Sequence, residues 1–212
     1  MTGRGGTIDL LEDGAPDAPR TVVLAHGAGA PMDSPFMDRI AQGLAERGAR
    51  VVRFEFPYME RRRRDGRRGP PDREPVLRAR WLDVIGQLGR AASLVIGGKS
   101  LGGRIASQVA ADAGVRGLVC LGYPFHPPGR PDRLRTAHLG DLRTPTLIVQ
   151  GTRDALGSRD EIATYDLPPS IRFEFLGDGD HSFKPRVGSG RTLDDNLARA
   201  IEATASFLTD LP

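Results

Sequence analysis

The 212-residue sequence contains one cysteine, one tryptophan and three tyrosines, and only two of its thirty basic residues are lysines. A single cysteine, Cys120, excludes an internal disulfide framework and a zinc site built on thiolates. No apolar run approaches the roughly 18 residues of a membrane span. The opening residues, MTGRGGTIDLLEDGAPDAP, lack the apolar stretch of a secretory signal and do not read as a transit peptide. The expectation is a cytoplasmic protein that does not associate with membranes. No HExxH or comparable His/carboxylate spacing is present, so no metal and no cofactor are expected.

What is present fits a globular chain: 39% hydrophobic residues, with 27 glycines besides. The length suits a single domain over residues 1–212. The net charge of +3 is local. Residues 60–74, ERRRRDGRRGPPDRE, hold seven arginines and four acids, and the remainder of the chain balances. Tyr58 lies just upstream of this segment, but no aromatic residue interleaves its arginines. It therefore reads poorly as a nucleic-acid tract, and no nucleic-acid partner is expected. With its glycines and prolines, the stretch 57–75 reads as an exposed loop inserted after a strand.

Six short apolar runs read as strands covered on both faces: TVVLA (21–25), RVVRF (50–54), SLVIG (93–97), GLVCL (117–121), TLIVQ (146–150) and RFEFL (172–176). Between them fall helical spacings, such as Met37, Ile40 and Leu44, or Trp81, Ile85 and Leu88. A closing stripe follows at Leu197, Ile201, Ala205 and Leu208. This alternation predicts an α/β fold, a mostly parallel, doubly wound sheet of about six or seven strands flanked by helices.

The sharpest motif is Gly98-Lys99-Ser100-Leu101-Gly102, a G-x-S-x-G turn between SLVIG and a helix. A turn tight enough to lift a serine hydroxyl off a sheet leaves no room for a Cβ two residues to either side. Gly-Lys-Ser also suggests a phosphate-binding loop, but that motif needs glycine where Ser93 stands. A serine needs a base, and the base an orienting acid. Asp154 follows the strand TLIVQ and His181 follows RFEFL, both where an open α/β sheet gathers its functional groups. The order Ser100, Asp154, His181 is the order of an α/β-hydrolase triad. Asp178 and Asp180 stand too near His181 in sequence for the orienting role and read as loop-shaping residues.

An oxyanion hole would take the N–H of Leu101 and, from the loop His26-Gly27-Ala28-Gly29-Ala30, that of Ala28, with Gly27 as the neighbouring possibility. His26 reads as a structural residue of that loop, and His138 likewise as structural. The substrate pocket is expected to take in Gly27, Lys99, Tyr123 and His126, with Arg61 and Arg62 reaching over from the Arg-rich loop. There they would gate the site or favour anionic substrates; the alternative is a loop that is only solvated surface.

The motifs LAHGAGAPMDSPFM, RFEFPYM, IGGKSLGGR, LGYPFHPPG, TLIVQGTRD and GDHSF together resemble the α/β-hydrolase superfamily. Within it, the resemblance is to the small, dienelactone-hydrolase-like bacterial branch related to the NSL-complex subunit and testis-expressed hydrolase-like proteins. It implies a minimal hydrolase core without a large lid, and Ser100, Asp154 and His181 as nucleophile, acid and base. It also implies that Arg61 to Arg64, Arg67 and Arg68 are a family feature. The expected activity is hydrolysis of an ester, thioester or similar acyl bond of a small-molecule substrate. The alternative is a non-catalytic binding or regulatory module on the same scaffold.

Overall fold

A computed structural model describes residues 7–67 and 69–212; Arg68, counted above in the arginine run, lies outside the described residues. Among the described residues, seven strands form one sheet: β1 (Leu10–Asp13), β2 (Arg20–Ala25), β3 (Ala49–Phe54), β4 (Leu94–Lys99), β5 (Gly117–Leu121), β6 (Thr146–Gly151) and β7 (Ile171–Leu176). Their order is β1-β3-β2-β4-β5-β6-β7, parallel throughout except for β1, which runs antiparallel to β3. Six α-helices among the described residues accompany the sheet: α1 (Pro35–Ala45), α2 (Pro57–Asp65), α3 (Glu74–Leu88), α4 (Leu101–Ala113), α5 (Arg159–Ile162) and α6 (Leu193–Asp210). No large lid interrupts this arrangement among the described residues.

Neighbouring residues of each strand face opposite sides, and both sides are covered. Val23, Val52, Phe54, Ile96 and Ile148 pack with Trp81, Val84, Ile105 and Val109 from α3 and α4. Val22, Leu24, Val51, Val95 and Val149 pack with Met37, Ile40, Leu44, Leu197 and Ile201 from α1 and α6. This explains why the strands read as continuous apolar runs. Each fully buried aliphatic side chain contributes about 1.5–3 kcal/mol, so the two layers are the main source of stability.

Three features differ from the sequence reading. The edge strand β1 has only four residues, LLED, too few for periodicity to reveal. Its place follows from a charge: Arg53 in β3 is buried, and its guanidinium donates to Asp13 of β1 at 2.7 Å and to Asp38 of α1 at 2.5 Å. Secondly, β5 and β6 are joined by a long irregular segment with one short 3-10 turn (Ala137–Leu139) rather than a helix.

Thirdly, much of the expected loop at 57–75 is helical: α2 spans Pro57–Asp65, and α3 begins at Glu74. Pro57 occupies the first turn, where its missing N–H costs nothing, and Gly66 closes the helix in the left-handed conformation at φ 68°. Arginine is a good helix former, and Arg62 to Arg64 sit in the last turn, where cations suit the helix dipole.

Candidate active site

The carboxyl ends of β2, β4, β6 and β7 lie along one edge of the sheet, and the loops leaving them meet there. At the end of β4 the chain turns through Ser100 at φ 50° and ψ −111°, a strained conformation for a residue with a side chain. The glycines on either side are steric necessities. A Cβ on Gly98 would sit 2.1 Å from the Ala25 carbonyl oxygen, and one on Gly102 would sit 2.3 Å from the same atom. The turn therefore packs directly on β2, and Ser100 stands immediately before the first residue of α4, Leu101. The first N–H groups of that helix have no intrahelical acceptors.

His181 comes from the loop after β7. Its Nε2 lies 2.8 Å from Ser100 Oγ, and its Nδ1 lies 2.7 Å from Asp154 Oδ2. The hydrogen-bond network assigns the tautomer: Nδ1–H donates to the carboxylate, and Nε2 accepts from the serine. Asp154, in the turn after β6, is fully buried, and its acceptor sites are occupied. Oδ2 also accepts from Gln150 Nε2 at 2.9 Å, and Oδ1 from the Leu156 N–H at 2.8 Å.

Gln150 is a site residue that motif reasoning missed. It also receives the Tyr123 N–H at 2.8 Å and donates to the Gly157 carbonyl at 3.0 Å, tying the ends of β5 and β6 to the acid. Its signal in the sequence is a polar residue at the end of the strand TLIVQ, inside the motif TLIVQGTRD. Asp178 and Asp180 shape the histidine loop. Asp180 accepts the N–H groups of Ser182 and Lys184, and Asp178 accepts from Arg186, which holds its carboxyl down at about 2.

Ser100 and His181 open on a cavity of about 660 Å³, with Asp154 buried behind them. Ser100, His181 and Lys99 line it, as do the backbone and small side chains of Gly27 to Ala30; Phe36, Met37, Leu193 and Leu197 give an apolar wall. Lys99 is half-buried, and its Nζ donates to the His181 carbonyl at 2.5 Å while lying 5.5 Å and 5.8 Å from the ring centres of Phe36 and Phe183. Burial pulls its pKa down to about 8, against the opposing pull of the Asp154 and Asp180 charges.

The other expected pocket residues fall elsewhere. Tyr123 and His126 are buried and lie outside the cavity lining. The Tyr123 hydroxyl donates to the Arg135 carbonyl, while His126 contacts the Pro127 carbonyl and Glu161. Arg61 and Arg62 do not line the cavity either: Arg61 pairs with Asp72, and Arg62 reaches the Gly29 carbonyl. Arg63 is held by both Asp33 and Glu55, and Arg64 by Asp65. Arg61 and Arg64 thus pair with acids of their own segment, and Arg63 alone with acids from outside it. The cations that do line the cavity are Lys99 and, at its rim, Arg39.

A second serine–histidine pair stands on the far side of α4: Ser107 Oγ lies 2.8 Å from His138 Nε2. The Ser107 hydroxyl also donates to the Arg104 carbonyl at 2.7 Å, and no carboxylate holds His138 among the described residues. Burial, followed by the Arg104 charge, lowers the pKa of this histidine.

Known proteins match this architecture. The chain aligns with the structure of an alpha-beta serine hydrolase homologue from Coxiella burnetii at a TM-score of 0.68 and 19% identity, covering 100% of this chain and 95% of the other. A serine hydrolase without a lid from Xanthomonas campestris aligns at 0.64 with 22% identity, over 97% and 91% of the two chains. Dienelactone hydrolase from Anabaena variabilis aligns at 0.69 with 22% identity, over 97% and 94%. At these identities the likeness establishes the fold. The family model described as an alpha/beta hydrolase domain matches residues 18–209, nearly the whole chain, and the protein belongs to that family.

Proposed function

We propose that the protein is a serine hydrolase that cleaves an ester, thioester or similar acyl bond through an acyl-enzyme intermediate. The observation that carries this reading is the unbroken hydrogen-bonded line from Ser100 through His181 to Asp154, opening on a cavity large enough for a small substrate. Ser100 attacks the carbonyl while His181 Nε2 takes its proton. Asp154 keeps the imidazole in the right tautomer and stabilises the cation that forms. The N–H groups of Leu101 and Ala28 receive the developing oxyanion. His181 returns the proton to the leaving group, then activates the water that releases the acyl group.

The apolar wall of Phe36, Met37, Leu193 and Leu197 favours a substrate with an apolar acyl or alcohol group. Arg61 and Arg62 stand outside the cavity lining, so the cations placed to favour an anionic group there are Lys99 and Arg39. A finer affiliation, with the branch related to the NSL-complex subunit and testis-expressed hydrolase-like proteins, rests on the sequence motifs alone.

A panel of p-nitrophenyl esters from acetate to octanoate tests the reading. Turnover is expected to rise with acyl length over the first members and to vanish in Ser100→Ala. A folded wild-type protein inert to the whole panel and to thioesters would favour a binding module instead.

A further inference from the structure

Helix α2 does not touch the substrate cavity, yet its side chains converge on the loop that must supply the second oxyanion donor. The Tyr58 hydroxyl points at the carbonyls of Gly27 and Ala28, at 3.3 Å and 3.2 Å. The Gly27 carbonyl also receives His26 Nδ1–H at 2.7 Å, and His26 Nε2 in turn accepts the Phe56 N–H at 3.1 Å, immediately before α2. One turn on, Arg62 reaches the Gly29 carbonyl at 3.2 Å.

The consequence follows from the peptide bond. None of the described peptides is cis, so the carbonyl of Gly27 and the N–H of Ala28 point in opposite directions from one plane. Holding that carbonyl toward Tyr58 and His26 turns the Ala28 N–H away from them. The other side of the loop is the cavity side, where Gly27 packs against Lys99 and Ser100. The Ala28 N–H has no acceptor among the described residues, as an oxyanion donor in waiting requires.

We infer that Tyr58 is a positioning residue for the oxyanion hole. With His26 it fixes the Gly27–Ala28 peptide so that its N–H faces the carbonyl oxygen under attack, and α2 is the platform that carries it. Burial keeps the Tyr58 hydroxyl protonated and hence a donor. Its ring stays in place through near-parallel stacking on Phe56 and an edge contact with His26. The arginines of α2 then act structurally: Arg63, gripped by Asp33 and Glu55, ties the helix to the far end of the same loop.

The inference rests on the hydrolase reading, and two readouts keep their failures apart. Tyr58→Phe retains the ring and removes only the donor. It is expected to lower kcat roughly 10-fold with KM within about twofold, and to weaken binding of phenylboronic acid, a mimic of the tetrahedral intermediate, by a similar factor. Amide hydrogen exchange over residues 27–30 is expected to quicken roughly 10-fold in the same variant. Arg64→Gln, which removes only the exposed pair with Asp65, should change none of these. Unchanged exchange in Tyr58→Phe would overturn the inference, as would a loss confined to KM. If wild-type protein turns over no ester, the hydrolase reading fails, and with it the assignment of an oxyanion role to Tyr58.

Discussion

Two serine–histidine pairs lie along helix α4, Ser100 just before its first residue and Ser107 within it, each with an oxygen–nitrogen distance of 2.8 Å, and the hydrolase proposal turns on the differences between them. Ser100 stands at the helix N-terminus in a strained turn, beside N–H groups that have no helical acceptor. Ser107 lies two turns further along, where the helix satisfies its own amides. The Ser107 hydroxyl gives its proton to the Arg104 carbonyl, so His138 can only donate to it. Ser100 is free to give its proton to His181, and His181 is fixed from behind by the buried Asp154. Position on the helix and the third partner separate the pairs; distance does not.

The sharpest break between them comes from removing the hydroxyls. Ser100→Ala is expected to lower kcat by roughly 10⁴-fold or more on the best ester of the panel. Asp154→Asn leaves the shape of the site but removes the acceptor that fixes the His181 tautomer, with an expected loss of roughly 10²- to 10⁴-fold in kcat. His138 has no equivalent partner to lose.

A smaller effect is expected from Gln150→Leu, measured by urea unfolding and by kcat together. The change strips a donor from Asp154 and leaves the buried Tyr123 N–H unpaired. Stability should fall by about 1–3 kcal/mol and kcat by roughly 10-fold.

Lys99 gives a pH test. Its folded pKa of about 8 lies below the ordinary lysine value of 10.5, so between these limits the unfolded chain holds a proton that the folded protein has released. Stability from this group therefore rises with pH across that window, by up to about 1.4 kcal/mol per unit, and is flat below it. Urea midpoints from pH 7 to 10 should show this slope in wild type relative to Lys99→Met. Parallel curves for the two proteins would contradict the burial of the ammonium. The smallest change belongs to the second pair: Ser107→Ala should leave kcat within about twofold and cost about 0.5–1.5 kcal/mol.

The six strands with both faces covered, and the chain order Ser100, Asp154, His181, were legible because they rest on local patterns: apolar runs, a glycine-framed turn, and polar residues just past strand ends. Less legible was anything set by the direction of a side chain in three dimensions. Tyr123 and His126 follow β5 at the correct sheet edge, yet both turn inward, Tyr123 toward Arg135 and His126 toward Glu161. The arginine run looked like a loop of free charge because pairing is set in three dimensions: Arg61 and Arg64 meet acids of the run itself, Asp72 and Asp65, while Arg63 meets Glu55 and Asp33 from before it. Gln150 and Tyr58 fall within the motifs TLIVQGTRD and RFEFPYM, but nothing in those strings marks them, since each works by binding another residue's backbone or carboxylate. Strand β1 is too short to announce itself, and its reason, the buried Arg53, appears only once β3 is paired.

The most direct test is stoichiometric labelling with a fluorophosphonate, followed by peptide mapping. Trypsin cleaves after Lys99 and Arg104, so Ser100 and Ser107 fall on different peptides. A single adduct on Ser100 is expected, abolished in His181→Ala and unaffected in His138→Ala. An adduct on Ser107, or a folded protein that takes up no label, would contradict this expectation.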